Sequence, residues 1–278
     1  MKISIGISLF ALLIIFLAWQ NNGIVITKYE YANKKLPEKF NGFKVLHISD
    51  LHNKNYGERL INKIKKINPD IIVITGDLID RRKTMINTAA DFIDGIVKIA
   101  PTYYVSGNHE QLSKHFDELK TVLHKSNVII MDNSYATLYK DGFSIGLIGI
   151  ADPAINFGKK TYLKENNFSY VRDNITKLIK DINTDFNVLL SHRPELFSVY
   201  NELKIDLVFS GHAHGGQIRI PFVGGVLSPN QGFFPKYSEG MHSEGATSIV
   251  VSRGLGNSVF PFRIFNRPEL VLVTLKSE

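Results

Sequence analysis

At 278 residues, 44% hydrophobic and 21% charged, the chain has an ordinary globular composition, which excludes collagen-like, low-complexity and disordered classes. It has no cysteine, so disulfides, thiolate metal ligands and a cysteine nucleophile are excluded, and any transition-metal site must use His, Asp, Glu, Asn and water. The net charge of +7 reads first as a solvated, lysine-rich surface and, as the functional alternative, suits an anionic partner such as a phosphorylated substrate, anionic lipid or wall polymer; no dense basic block resembles a nucleic-acid arm.

Met1-Lys2 precedes an apolar run from Ile3 to Trp19, broken only by Ser4, Gly6 and Ser8. A bilayer core needs about 20 apolar residues, so the run is long enough to span one. The following Ala18-Trp19-Gln20-Asn21 lacks a small-x-small cleavage pattern, and Trp19 suits an interfacial anchor. Residues 1–22 are expected to form an uncleaved signal anchor, a single transmembrane helix, with a cleaved signal peptide as the second reading. Charge immediately before the run and the neutral Gln-Asn-Asn-Gly after it favour an extracytoplasmic domain, although a wider lysine count favours the opposite side.

Residues 23–42 read as a linker with a short strand at 24–27 and a turn at Pro37, and 43–278 as the main domain. Strands are predicted over 44–48, 71–75, 102–105, 143–150, 188–190, 207–209, 248–251 and 270–275. Helices are predicted over 58–67, 88–99, 111–124, 171–182 and 194–200. Alternating strands and helices suggest a layered α/β domain built on one open sheet, and continuous apolar runs such as Ile71-Ile72-Val73-Ile74 suit strands buried on both faces.

The chemically active residues follow these strands. Asp50 and His52 come after the first, Asp77 after the second, Asn108 and His109 after the third, His192 after 188–190, and His212 and His214 after 207–209. Ligand sites of α/β sheets gather beyond the carboxyl ends of the strands, so five strand ends would converge on one edge. A lone Asp-x-His or Gly-Asp means little. Gly107-Asn108-His109-Glu110 and Gly211-His212-Ala213-His214-Gly215-Gly216 are more specific, and all five segments in this order are highly specific.

With those segments the chain resembles the calcineurin-like metallophosphoesterase superfamily over about residues 43–275. The stretches 211–221, Ser252-Arg253-Gly254-Leu255-Gly256 and Asn266-Arg267-Pro268-Glu269 make it most similar to bacterial membrane-associated or exported phosphodiesterase-like proteins. The resemblance implies a β-sandwich flanked by helices in place of a single sheet. It also implies two divalent ions, one held by Asp50, His52, Asp77 and His214, the other by Asp77, Asn108, His192 and His212. A carboxylate can bridge two cations, which a neutral imidazole cannot, and N/O ligation suits Mn, Fe, Zn or Co. By the same resemblance His109 contacts the phosphoryl group or protonates the leaving oxygen, while Asp80 and Glu110 are candidates for orienting ligand histidines. His47 reads as a strand residue, His115 and His124 as helix surface, and His242 as a loop residue.

The implied reaction is hydrolysis of a phosphodiester, monoester or lipid-linked pyrophosphate by a metal-bound hydroxide, on a phosphorylated small molecule or an envelope lipid. The loop at 221–237, with Phe222, Val223, Phe233, Phe234 and Pro235, is a candidate pocket or lipid contact, with simple packing of a long loop as the equal alternative. A nuclease or cyclic-nucleotide phosphodiesterase is the rival enzyme, disfavoured because no basic, aromatic-interleaved stretch is present. A non-catalytic metal-binding envelope protein is the rival of another class, and it would be expected to lack a ligand or His109.

Overall fold

A computed structural model describes residues 2–156, 165–258 and 260–278. Helix α1 (Lys2–Asn22) leads into β1 (Val25–Asn33), then β2 (Lys44–Ile48), α2 (Glu58–Ile67), β3 (Ile71–Thr75), α3 (Ile86–Ile96) and β4 (Thr102–Val105). Next come α4 (Asn108–Gln111), α5 (Phe116–Lys125), β5 (Ile129–Ile130), β6 (Ser134–Lys140), β7 (Phe143–Ile150) and α6 (Glu165–Asp181). Strand β8 (Asn187–Ser191), α7 (Phe197–Glu202) and β9 (Leu207–Ser210) precede two short hairpins. These pair β10 (Arg219–Ile220) with β11 (Gly224–Gly225), and β12 (Leu227–Ser228) with β13 (Gly232–Phe233). The chain ends with β14 (Gly240–Glu244), β15 (Thr247–Val251) and β16 (Glu269–Ser277).

Two six-stranded sheets, ordered β1-β16-β2-β3-β4-β5 and β14-β15-β9-β8-β7-β6, replace the single open sheet that strand alternation suggests. Local pattern cannot say which strands pair. Here β6 turns back antiparallel to β7 and starts the second sheet, and β8, β9 and β15 add to it in parallel. This is the sandwich the family resemblance implies.

Strand alternation explains the layers. Val45, Val73, Tyr103, Val105 and Val271 point between the sheets against Leu147, Val188, Leu190, Phe209 and Val250. Their neighbours Leu46, Ile48, Ile72, Ile74 and Tyr104 pack outward on Leu60 and Ile64 of α2, Ile93 of α3 and Leu119 of α5. On the far side Ile148, Leu189, Val208 and Ile249 meet Val171 and Ile175 of α6 and Phe197 of α7. Successive side chains of a strand face opposite ways, so a run such as 71–74 must be apolar throughout to bury both faces.

The short strand expected at 24–27 is instead nine residues long and pairs in parallel with β16 from Val25↔Glu269 to Asn33↔Ser277. Tyr31, Leu36 and Phe40 of the expected linker lie in the inter-sheet core. The helix expected at 111–124 breaks into α4 and α5, because Ser113 Oγ accepts the N–H of His115 and competes with helix continuation. His47 is in β2 and His124 is exposed on α5, as expected, whereas His242 lies in β14 and not in a loop.

The end at which β2, β3, β4, β8 and β9 terminate carries all eight candidate site residues. Strands β1 and β16 begin at that same end, since β16 runs antiparallel to β2 with Val271 opposite His47. Helix α1 therefore joins the domain at this edge. It is long and apolar enough to cross a membrane (mean hydropathy 1.7 over Ile5–Asn22), and Ile7, Leu9, Phe10, Leu12 and Ile15 are exposed rather than packed in a core.

Candidate metal centre

Each candidate residue sits just past a strand. Asp50 and His52 follow β2, Asp77 follows β3, Asn108 and His109 open α4 after β4, His192 follows β8, and His212 and His214 follow β9. The first sheet thus contributes five of these residues and the second three, and all eight side chains are buried or nearly so. Tight turns are needed to bring them together. Asp50, His52, Asp77, His212 and His214 all adopt left-handed φ, between 47° and 64°, a conformation that costs non-glycine residues energy and clusters at functional sites. Gly211 is required for a different reason: a Cβ there would lie 1.9 Å from Ser49 Oγ and 2.3 Å from Asp50 Oδ2.

The donor atoms form two adjoining groups. In one, His52 Nε2 and His214 Nε2 are 3.1 Å apart, and Asp50 Oδ1 lies 3.3 Å from His214 Nε2. In the other, His192 Nε2 is 3.1 Å from His212 Nδ1 and 3.2 Å from Asn108 Oδ1. Asp77 Oδ2 stands between them, 3.5 Å from His52 Nε2 and 3.4 Å from His192 Nε2. The other oxygen, Oδ1, accepts the N–H of His109 at 2.8 Å, so a single oxygen faces both groups.

These spacings fit divalent cations. Donors about 2.0–2.2 Å from one ion stand roughly 3 Å from each other. His52 Nε2 and His214 Nε2 face each other closely enough for one ion to accept both lone pairs, and among the described residues neither ring's Nδ1 has a hydrogen-bond partner. His192 has its orientation fixed: Nδ1 lies 2.6 Å from the carbonyl of Thr75, an N–H donation that turns Nε2 toward Asn108 and Asp77. The groups Asp50–His52–His214 and Asp77–His192–His212 could each hold an ion.

The chain's own charges show the same demand. Burial holds His52 down at about 3, and His212 and His214 well below the usual histidine range, so all three are neutral imidazoles. Burial raises Asp50 to about 6. Burial also opposes ionisation of Asp77, but His192, His109 and His52 outweigh it and hold the carboxyl well below its ordinary value. His192 goes the other way, up to about 10, because Asp77 and Asp50 overcome its burial. The carboxylates draw positive charge to the centre of the cluster.

His109 stands at the edge, its ring edge-on to His52 with centroids 4.5 Å apart. The backbone N–H of Arg81 donates to its Nδ1 at 3.2 Å, which leaves Nε2 as the protonated nitrogen of the neutral ring. Asp80 Oδ1 lies 3.6 Å from the same Nδ1, so the charged ring has a partner too. Burial lowers the His109 pKa, but Asp77 and Asp80 dominate and raise it. His52, Asp80 and His109 form a third cluster of possible ligands, but the Asp80 carboxylate is already engaged by the Arg82 guanidinium.

Glu110 does not orient a histidine. Its carboxylate accepts backbone N–H groups from Asp77 at 2.7 Å, Gly107 at 2.8 Å and Ile79 at 3.1 Å, and so holds the Asp77 turn to the start of α4. Several supporting residues carry no sequence signal that names their task. Asn266 donates to the carbonyls of His214 at 2.7 Å and Gln217 at 2.9 Å. Asn230, on the 221–237 loop, lies 3.2 Å from His212 Nε2. Arg193, next to His192, makes a buried two-pronged pair with Asp152 at 2.7 and 2.9 Å. The Asn266 stretch and the Ser-His-Arg triplet stand out in the sequence; their partners, 52 and 41 residues away, do not.

The chain is similar to several known proteins. The uncharacterized metallophosphoesterase YkuE of Bacillus subtilis (strain 168) is 31% identical over 263 residues, covering 91% of this chain and 86% of its own. Phosphodiesterase YaeI of Escherichia coli (strain K12) is 24% identical over 242 residues, covering 84% and 82%. A transmembrane protein with metallophosphoesterase domain from Danio rerio is 26% identical over 264 residues, 90% of this chain but 57% of that protein. The solved structure of TT1561 from Thermus thermophilus shares the fold, with a TM-score of 0.51 and 13% identity over 77% of this chain and 90% of that one. The profile of the calcineurin-like phosphoesterase family matches residues 43–216, and with the relatives above it makes this chain a member of that family and a metal-dependent hydrolase of phosphoester bonds.

Proposed function

We propose that the enzyme holds two divalent ions, one through Asp50, His52, Asp77 and His214 and the other through Asp77, Asn108, His192 and His212, with Asp77 shared. The observation that carries this reading is the position of Asp77 Oδ2, 3.5 Å from His52 Nε2 and 3.4 Å from His192 Nε2, between the two donor groups. Bound there, Mn, Fe, Zn or Co ions would supply Lewis acidity to phosphoryl oxygens and acidify a water. The chain's part is to place and charge the site. Glu110 fixes the Asp77 turn, Thr75 fixes the His192 ring, and His109 offers an Nε2 proton to the phosphoryl group or the departing oxygen.

The substrate in this reading is an envelope phosphodiester or a lipid-linked pyrophosphate, and the N-terminal segment, residues 1–22, anchors the enzyme with its domain on the extracytoplasmic side. The exposed apolar face of α1 and the neutral residues after it support the anchor and its orientation. The test is a side-by-side assay of the Mn-loaded full chain on a bis-aryl phosphate, an aryl monophosphate and a lipid pyrophosphate. Diester or pyrophosphate cleavage, lost on chelation, is expected. A preparation that binds metal and cleaves none of the three is a scaffold rather than this enzyme.

A further inference from the structure

We propose that the aromatic loops around the metal centre, at 220–234 and 260–265, are seated in the membrane interface, so that the site opens onto the lipid surface itself. The proposal rests on reading α1 as a membrane helix and adds where the catalytic domain lies relative to that membrane.

The connection between α1 and the domain fixes the depth. Gln20 and Asn21 are buried in the domain: Asn21 Oδ1 accepts the N–H of Arg263 at 2.9 Å, and Gln20 Oε1 accepts the N–H of Asn266 at 3.2 Å. The domain then climbs the helix. Phe265 meets Phe16 edge-on at 5.5 Å, and Pro261 and Phe262 line a cavity with Ile14, Leu17 and Ala18. Ile14 is eight residues before the helix end at Asn22, roughly 12 Å along the axis at about 1.5 Å per residue. A bilayer that covers Ile14 and Phe16 also covers the loop residues beside them.

The rest of the rim continues from that contact. Phe222 and Val223 share a depression with Phe265, and Leu227 and Pro229 share another with Phe260. Phe222 is fully exposed, Phe233 is 74% exposed and Phe234 61%. Such a cluster of exposed aromatic side chains is unusual on a surface facing water and is the pattern of an interfacial belt. Basic groups ring the helix end at the level where phosphate headgroups would lie. Arg267 stacks over Trp19 at 4.5 Å, Lys54 donates to the carbonyl of Asn21, and Arg59 donates to that of Asn22. This matches an anionic lipid surface.

The rim is also joined to the metal centre. Asn266, next to Phe265, holds the His214 carbonyl, and Asn230, next to Pro229, reaches His212. The mouth of the site is therefore within a few residues of the lipid-facing loops.

The absence of cysteine makes the test direct, because one introduced thiol labels one position. Full-length variants Phe222→Cys, Phe233→Cys and Phe265→Cys, with Leu13→Cys and Tyr139→Cys, would each be spin-labelled in vesicles of phosphatidylethanolamine and phosphatidylglycerol. Tyr139 is 78% exposed on β6, away from the strand ends that carry the site. Labels at 222, 233 and 265 should collide with oxygen severalfold more than with a water-soluble nickel chelate, as at 13, and the label at 139 should show the reverse. A lipid-exposed label at 13 with water-exposed labels at 222 and 233 overturns this proposal alone. A water-exposed label at 13 overturns the membrane reading and this proposal with it. Spin–spin broadening at 222 that persists at high lipid-to-protein ratio overturns it in favour of a contact between two copies.

Discussion

Glu110 sits directly under Asp77 and grips the turn that carries it: one carboxylate oxygen accepts the Asp77 N–H at 2.7 Å and the Gly107 N–H at 2.8 Å, and the other accepts the N–H of Ile79 at 3.1 Å. The residue between the two candidate donor groups is thus held by a buried acid that touches no candidate ligand side chain. Glu110→Gln keeps the shape but has one acceptor oxygen and points an NH2 group at a backbone donor. A buried unsatisfied group costs about 1–3 kcal/mol, so the unfolding free energy should fall by that amount, and titration with Mn should show weaker binding. Unchanged unfolding and metal affinity would remove Glu110 from the account.

His109 should separate binding from turnover. It packs against His52 but belongs to neither donor group, so His109→Ala should retain the wild-type metal content. The rate should fall by about 10²–10⁴-fold, the usual contribution of a positioned acid or base. Loss of metal together with rate would make His109 a ligand, as its cluster with His52 and Asp80 also allows.

Arg193 tests the scaffold. Its guanidinium and the Asp152 carboxylate are both almost fully buried, 1% and 0% exposed. Arg193→Met leaves the buried Asp152 carboxyl without its cationic partner, and a buried pair broken from one side costs about 3–5 kcal/mol. Arg193→Met with Asp152→Leu should recover part of that loss in the same denaturation experiment. A single variant as stable as the wild type would contradict the geometry.

Asn266 links α1 to the site: its backbone N–H donates to Gln20 on one side, and its side chain donates to the His214 carbonyl on the other. Asn266→Ala should weaken metal binding by about 10–100-fold, the range for groups that orient a metal ligand, without abolishing folding. Calorimetric titration of the full chain with Mn reads this directly.

Most of the site is legible in the sequence because each candidate ligand follows a short apolar strand and a glycine often sits beside it. Ile71-Ile72-Val73-Ile74-Thr75-Gly76-Asp77 carries its own strand, turn and ligand. What could not be read is pairing at a distance. Strand β1 alternates weakly as Val-Ile-Thr-Lys-Tyr-Glu-Tyr-Ala-Asn because it lies at a sheet edge, and its partner β16 is 244 residues away. Strand β6 is an edge too, and the change of sheet that it begins leaves no local mark. The Glu110 and Asn266 roles depend on backbone groups of other segments, which side-chain chemistry alone does not reveal.

The central claim, that two ions would be held with Asp77 common to both donor sets, is tested most directly by counting metal. Full-length wild type and Asp77→Asn, each loaded with Mn and freed of excess, would be assayed for bound ion by mass spectrometry. The account predicts about two ions per wild-type chain, and fewer than about one in Asp77→Asn with turnover abolished. A wild type that saturates at one ion, or an Asp77→Asn variant that keeps both and still turns over, would contradict it.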